Sequence, residues 1–436
     1  MVLAVDALAP IPTHQLLIFL VQLTLLLVTA RLLGAVARRM RMPGIVGELL
    51  AGVVLGPSIF ANAFPALSEW VFPPAAEQQH LIDAVGQVGV LLLVGLAGMQ
   101  LDLLGLRRRL NSAVKVSVAG LLIPLAIGVA FGFIAPVPLR PENISPTVFA
   151  LFLGVAVCVS AVPVIAKTLI ELKMTHRNVG QLILAAGMID DAIGWFLLSI
   201  IAALAAGGLH FGVVANSLGA LLLVTVFTVT IGRWTVHWVL RRAERTDDPT
   251  TVVATTVVLM LASSAATHAL GLEAILGAFL CGVLIGSSGI NLASLAPMNT
   301  VVMSVLAPIF FATAGLRMDL TALADPRLLT AALVVLVLAI AGKFAGAFVG
   351  GTLSGLSRRE CTALGAGMNA RGVIEVVIAM VGLRMGVIGV EAYTVLIVVA
   401  VVTSIMAPPI LRQSMRHIGF TPEEVAREKR SLTMTE

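Results

Sequence analysis

Residues 180–204 read GQLILAAGMIDDAIGWFLLSIIAAL. About 20 apolar residues suffice to cross a bilayer, and this run is that long, yet two adjacent aspartates, Asp190 and Asp191, stand at its centre. An ionisable group at membrane depth costs about 2.5–3.5 kcal/mol or more, and such groups mark ion or proton pathways. A carboxylate in that position holds either a proton or a small cation, and the two compete for the same oxygens.

The rest of the chain fits a span of this kind. It has 436 residues, of which 59% are hydrophobic and 12% charged, and its mean hydropathy is +1.04. Soluble domains carry about 25% charged residues, so the composition predicts an all-α polytopic membrane protein with little length left for a soluble domain. The 40 glycines and 20 prolines suit packed, partly broken transmembrane helices. A net charge of +5 suggests nucleic-acid binding at first sight. The basic residues lie in short loops, however, where membrane topology accounts for them, and no nucleic-acid partner is expected. Cys158, Cys281 and Cys361 are far apart, lack metal-ligand spacing and read as small core hydrophobes. No basic segment precedes the first apolar run, so a cleavable signal peptide is not expected and that run is the targeting signal. No phosphate loop, metal cluster or nucleophile–base signature is found, so an ATP-driven pump and a hydrolytic enzyme both lack support, and no cofactor is expected.

Thirteen apolar spans are read along the chain, numbered here 1 to 13: 16–34, 43–60, 84–104, 112–135, 146–170, 178–205, 210–240, 251–270, 272–288, 296–315, 328–351, 360–386 and 391–412. The closely spaced spans 8 and 9, and span 10 with Pro297 and Pro308, are the weakest of these. The loops test the count. Arg38, Arg39 and Arg41 follow span 1; Arg107, Arg108 and Arg109 follow span 3; Lys173 and Arg177 follow span 5. Arg241, Arg242 and Arg245 follow span 7, Arg358 and Arg359 follow span 11, and the tail carries Arg412, Arg416, Arg427, Lys429 and Arg430. The alternate loops hold only Arg140, Arg317, Arg327 and Arg384. The split predicts an N-terminus outside and a C-terminus in the cytoplasm.

That orientation exposes a symmetry. Spans 4–6 and spans 11–13 run in opposite directions. Span 5 carries a break signal at its centre, Ser160-Ala161-Val162-Pro163, and span 12 carries one in Gly365-AGMNARG, with Asn369 and Gly372. Paired interrupted helices in inverted halves point to a transporter's ion site.

At about 1.5 Å per residue, four elements share one depth: the aspartates of span 6, the break in span 5, Lys343 in span 11 and Arg371 in span 12. Lys343 has no charge near it in sequence. It either pairs with an aspartate or snorkels to the inner surface. Arg371 and Glu375 are four apart and pair on one helix face, either supporting the break or touching the ion pathway. Adjacent helical residues point about 100° apart, so one aspartate is expected to meet Lys343 while the other opens to a water-filled cavity. Glu48 in span 2 is either an entrance carboxylate or a packing group. His268 and Glu273 flank a short outer turn and read as solvated.

These residues carry a resemblance. Pro43-GIVGELLAGVVLGPS, the Asp190-Asp191 pair, Lys343 and Asn369-ARG are similar to motifs of the monovalent cation:proton antiporters, in the branch holding the Kef-type and Nap-type exchangers. The likeness runs from span 1 to about residue 412. It implies a single transmembrane exchanger domain of Nap/Nha-like fold, with inverted repeats and two crossed broken helices. It implies a scaffold of 16–104 and 251–315 where two protomers meet, a mobile core of 112–205 and 328–412, and a short cytoplasmic tail of 413–436. It implies that Asp191 carries Na+ or K+ in exchange for a proton, that Asp190 partners Lys343, and that Ser160, Pro163, Asn369, Arg371 and Glu375 support the broken helices. The implied protein is a homodimer in a bacterial inner membrane, its partners being lipid, monovalent cations and protons. Kef-type proteins commonly have Gln-Asp at the pair and a large nucleotide-binding tail. Asp-Asp and a tail of 413–436 favour Na+/H+ exchange over ligand-gated K+ efflux. A cation channel using the carboxylates as a selectivity ring and a sodium-coupled solute symporter are the rivals.

Overall fold

The computed structural model describes residues 11–40, 42–99, 103–136, 139–141, 144–160, 165, 168–169, 172, 174, 176–207, 211–246, 248–416 and 418–425. Among them the regular structure is entirely helical, as expected for a chain whose backbone polar groups must be satisfied without water. Ten of these helices are long and apolar enough to cross a membrane. The other predicted spans are built from shorter pieces. Span 5 begins as Pro146–Cys158, span 9 is Ala274–Gly286, and span 12 is two helices, Arg358–Met368 and Val373–Arg384.

Several helices outrun their apolar windows. Span 1 extends over Thr13–Arg39 and ends with Arg38 and Arg39 in its last turn. Residues 105–111, predicted as loop, and residues 103 and 104, predicted as the end of span 3, belong instead to the helix Leu103–Ile134 of span 4. Span 7 passes through a π-helical turn, Thr228–Gly232, into Arg233–Glu244, so Arg241 and Arg242 ride on helix. Hydropathy measures only the hydrocarbon, whereas a helix continues through the headgroup layer, and cations at its C-terminus meet the negative end of the dipole. Two short helices between spans 2 and 3, Phe60–Ala63 and Pro65–Val71, were not expected. They expose Phe64, Leu67 and Trp70.

Packing follows two sets. Span 4 lies against spans 5, 6 and 11, span 11 against span 12, and span 12 against span 13. Separately, span 1 packs on span 2, span 2 on span 10, span 3 on span 9, and span 8 on span 9. Small residues permit the close approaches. A Cβ on Gly52 would strike the Ala312 carbonyl oxygen, which pins span 2 to span 10. A Cβ on Gly346 would lie 2.6 Å from the Ala119 carbonyl oxygen, so span 11 rests on the backbone of span 4 at the level of Lys343.

Candidate functional site

The first half of span 5 ends at Cys158, and Val159 turns extended at φ −77° and ψ 146°. The chain thereby leaves helical geometry within a protein-lined interior, the setting in which membrane proteins tolerate irregular backbone. Ser160 follows and is fully buried. Pro163, with Ala161 and Val162, lies outside the described residues.

Three buried side chains from three other spans meet at Asp190. Ser117 of span 4 donates to Asp190 Oδ1 at 2.6 Å. Ser160 donates to Oδ2 at 3.0 Å. Lys343 Nζ donates to the same Oδ2 at 3.0 Å and to the Ser160 hydroxyl oxygen at 2.8 Å. Both ionic partners have 0% exposed side chains. Lys343 therefore pairs across the interior and does not snorkel. A buried ion pair survives desolvation only when further hydrogen bonds complete it, and the two serines supply them. Both carboxylate oxygens of Asp190 are thus engaged.

Asp191 is 2% exposed, so the expected opening to a water-filled cavity is absent from this conformation. Its neighbour's network explains the difference in facing: one helix turn cannot aim both carboxylates at Lys343.

The break in span 12 lies beside the break in span 5. Its first helix is set by a capping box, Ser357 with Glu360, and ends at Met368. Arg371, 1% exposed, pairs with Glu375 at 3.0 Å. It also donates to the carbonyls of Ala156, at 3.2 Å, and of Val157. These carbonyls belong to the last turn of the span 5 half-helix, where such groups lack intrahelical partners. Glu375 accepts from the Gly372 N–H at 2.8 Å, and the Ser404 hydroxyl of span 13 donates to the Arg371 carbonyl. One guanidinium braces the two interrupted helices together. Asn369, at 0% exposure, has neither amide nitrogen nor amide oxygen bonded in this conformation. Buried polar atoms are rarely left so.

Glu48 is 7% exposed. A Cβ on Gly34 of span 1 would lie 3.5 Å from its Oε1, which places Glu48 in the contact of spans 1 and 2 and apart from the cluster at Asp190. Sequence reading missed Ser117 and Ser404. A lone mid-helix serine carries no charge and no periodic signal, and shared depth was the one clue to them.

A further assembly ties the C-terminal tail to the start of span 6. Arg177 donates to the carbonyls of Ile418, at 2.7 Å, and Gly419, at 3.0 Å. It lies 3.3 Å from Glu424 and 4.1 Å from the Phe420 ring centre. Glu424 accepts the Asn178 N–H at 2.6 Å and so caps the first turn of the aspartate-bearing helix from the tail. Burial pushes the Glu424 carboxyl up, but the N–H groups of Asn178 and Thr421 and the Arg177 guanidinium outweigh it and hold the carboxyl below the ordinary glutamate range.

Comparison with known proteins fits this geometry. The family profile described as "Sodium/hydrogen exchanger, transmembrane" matches residues 24–416. The Na(+)/H(+) antiporter NhaS4 of Synechocystis is 32% identical over 403 residues, covering 92% of this chain and 97% of that protein. The K(+)/H(+) antiporter 1 of Saccharomyces cerevisiae is 28% identical over 414 residues, covering 91% of this chain and 46% of that longer protein, so the chain spans about half the length of the yeast relative. Among solved structures, the sodium proton antiporter MjNhaP1 from Methanocaldococcus jannaschii at pH 8 has the same fold, with a TM-score of 0.63 at 17% identity, covering 95% of this chain and 99% of that one. The chain belongs to the transmembrane sodium/hydrogen exchanger family and is a monovalent cation/proton antiporter.

Proposed function

We propose that Asp191 is the exchange site, taking up Na+, or K+, as it releases a proton, and that Asp190 is its fixed neighbour. The observation that carries this reading is the saturation of Asp190 by Ser117, Ser160 and Lys343. A cation at Asp190 would have to displace three donors. Asp191 stands on another face of the same turn and is left as the carrier. The names of the relatives in Synechocystis and yeast support Na+ and K+ respectively. Sodium is the first choice here because, of these two relatives, the one matched over nearly its whole length is the sodium one.

The exchange draws on ion gradients alone and needs no cofactor. For alternating access we propose that the set formed by spans 4–6 and 11–13 slides past spans 1–3 and 8–10 in an elevator motion, carrying Asp191 between the two sides. The Arg371 brace supports this, because it makes the two interrupted helices one body. The assembly is a homodimer in the bacterial plasma membrane, with its N-terminus outside and its C-terminus in the cytoplasm.

The test is reconstitution in vesicles with an internal pH dye, adding Na+, K+ and Li+ in turn. Cation-dependent proton movement against a proton gradient is expected for wild type. Asp191→Asn should abolish it in a protein that still folds, since an amide cannot trade a proton for a cation. A wild-type response from the variant would refute the assignment, and flux unable to run uphill would favour a channel.

A further inference from the structure

Span 7 supplies its own depth scale. Its exposed residues run Leu222, Leu223, Val226, Phe227 and Ile231, then Trp234 and Trp238, then Arg241 and Arg242 in the last turn. The two tryptophan rings stack 6.4 Å apart at 15°. Aliphatic side chains belong in hydrocarbon, tryptophans at headgroup level and arginines beyond it. Arg233 falls between Ile231 and Trp234, about 12 Å along the axis from Arg241, and is exposed. It makes no ion pair among the described residues. At that boundary the guanidinium reaches the headgroup layer, where it can be met by an anion.

The surroundings are shaped to receive one. A cavity of about 320 Å³ opens beside Arg233, walled by Thr230, Trp234 and His237 on span 7 and by Ser287 and Ser288 at the end of span 9. Arg233 and His237 are four apart on one helix face. Ser287 and Ser288 donate their hydroxyl hydrogens to the carbonyls of Leu284 and Ile285, which leaves their oxygens as acceptors at the cavity wall. A second cavity of about 360 Å³, lined almost wholly by apolar side chains including Leu223, Phe227, Leu259 and Leu280, lies between spans 7, 8 and 9. Leu284 walls both.

We infer that this face of span 7 holds an anionic phospholipid of the phosphatidylglycerol type. Its phosphate meets Arg233 and His237, its headgroup hydroxyls donate to the serine oxygens, and an acyl chain enters the apolar cavity. The site needs only that span 7 crosses the bilayer; assigning it to the cytoplasmic leaflet rests on the topology proposed above.

The experiment measures lipid retained by the purified full chain in neutral detergent, by native mass spectrometry and by thermal shift. The probes are phosphatidylglycerol, phosphatidylcholine and inorganic phosphate. Wild type should retain phosphatidylglycerol and gain thermal stability from it, with no such gain from the other two. Arg233→Gln should weaken that binding about tenfold or more, Arg233→Lys should keep most of it, and both should exchange cations like wild type in neutral lipid. Asp191→Asn protein should bind the lipid normally, which separates this site from the transport reading. Equal phosphatidylglycerol binding by wild type and Arg233→Gln would overturn the proposal. So would equal stabilisation by inorganic phosphate, which would make the site one for free anions. A change from dimer to monomer in Arg233→Gln with lipid retention unchanged would also overturn it, marking the face as a contact between two copies.

Discussion

Lys343 has no charged neighbour in its own span, so the energy that keeps an ammonium in the interior must come from across the core. It comes from Asp190 at 3.0 Å, with Ser160 bonded to both. Removing one member of a buried pair leaves the other uncompensated, at a cost of about 3–5 kcal/mol. Lys343→Ala should therefore lower thermal stability sharply, and Asp190→Asn combined with Lys343→Ala should recover part of the loss. A double variant no better than the sum of the singles would show that the pair is not energetically coupled. Asp190, Asp191 and Lys343 were legible in the sequence because charge in a hydrophobic run is conspicuous. Depth pointed to one of the aspartates as the partner of Lys343, and the resemblance to the antiporters implied that it is Asp190. Ser117 was not legible, since serine in a transmembrane helix bonds its own backbone as readily as a distant carboxylate. The orphaned amide of Asn369 was equally hidden: a sequence shows an asparagine, not whether its bonds are made.

At the scale of elements, the broken helices were announced by Gly372 and by the small and polar residues around Asn369, and the break in span 12 falls where those residues stand. What the sequence did not show is the brace. Arg371 was legible as the i,i+4 partner of Glu375, but its reach to the Ala156 and Val157 carbonyls depends on tertiary approach of two half-helices. The tail contact was also invisible, because residues 418–425 carry no apolar periodicity. Glu424→Gln should destabilise the detergent-solubilised protein by about 1–3 kcal/mol, the cost of weakening hydrogen bonds at a buried charged group. The sign of the pH effect follows from its depressed pKa. A carboxyl held below its unfolded value stabilises fully above the ordinary glutamate range, and the contribution is lost as pH falls through the folded value. The melting difference between wild type and Glu424→Gln should be constant near neutrality and shrink only in acid below about pH 4. A difference that shrinks instead between pH 6 and 8 would point to a different titrating group.

For the whole molecule, the fold class was legible from composition and span spacing, and the two packing sets follow from which small residues face which backbones. The sliding proposed between them concerns a second conformation, and in this one Asp191 is closed off. If the sets slide as bodies, a disulfide joining span 2 to span 13 across their boundary should stop exchange and reduction should restore it. Unimpaired exchange in the oxidised form would rule out sliding at that boundary. The charge moved per cycle depends on the same aspartate–lysine cluster. If cation uptake breaks the Asp190–Lys343 pair and Lys343 then gives up its own proton, two protons leave per cation and exchange is electrogenic, responsive to an imposed membrane potential. Competition between cation and proton for Asp191 is tested most directly by the apparent cation constant measured in proteoliposomes as a function of pH. A protonated carboxylate offers no charge to a cation, so below the carrier's pKa the constant should rise about tenfold per pH unit for each proton displaced. A slope of one assigns the exchange to Asp191 alone, and a slope of two brings in Asp190 and Lys343. A constant that does not change from acid to alkaline conditions would contradict competition and the antiport mechanism built on it.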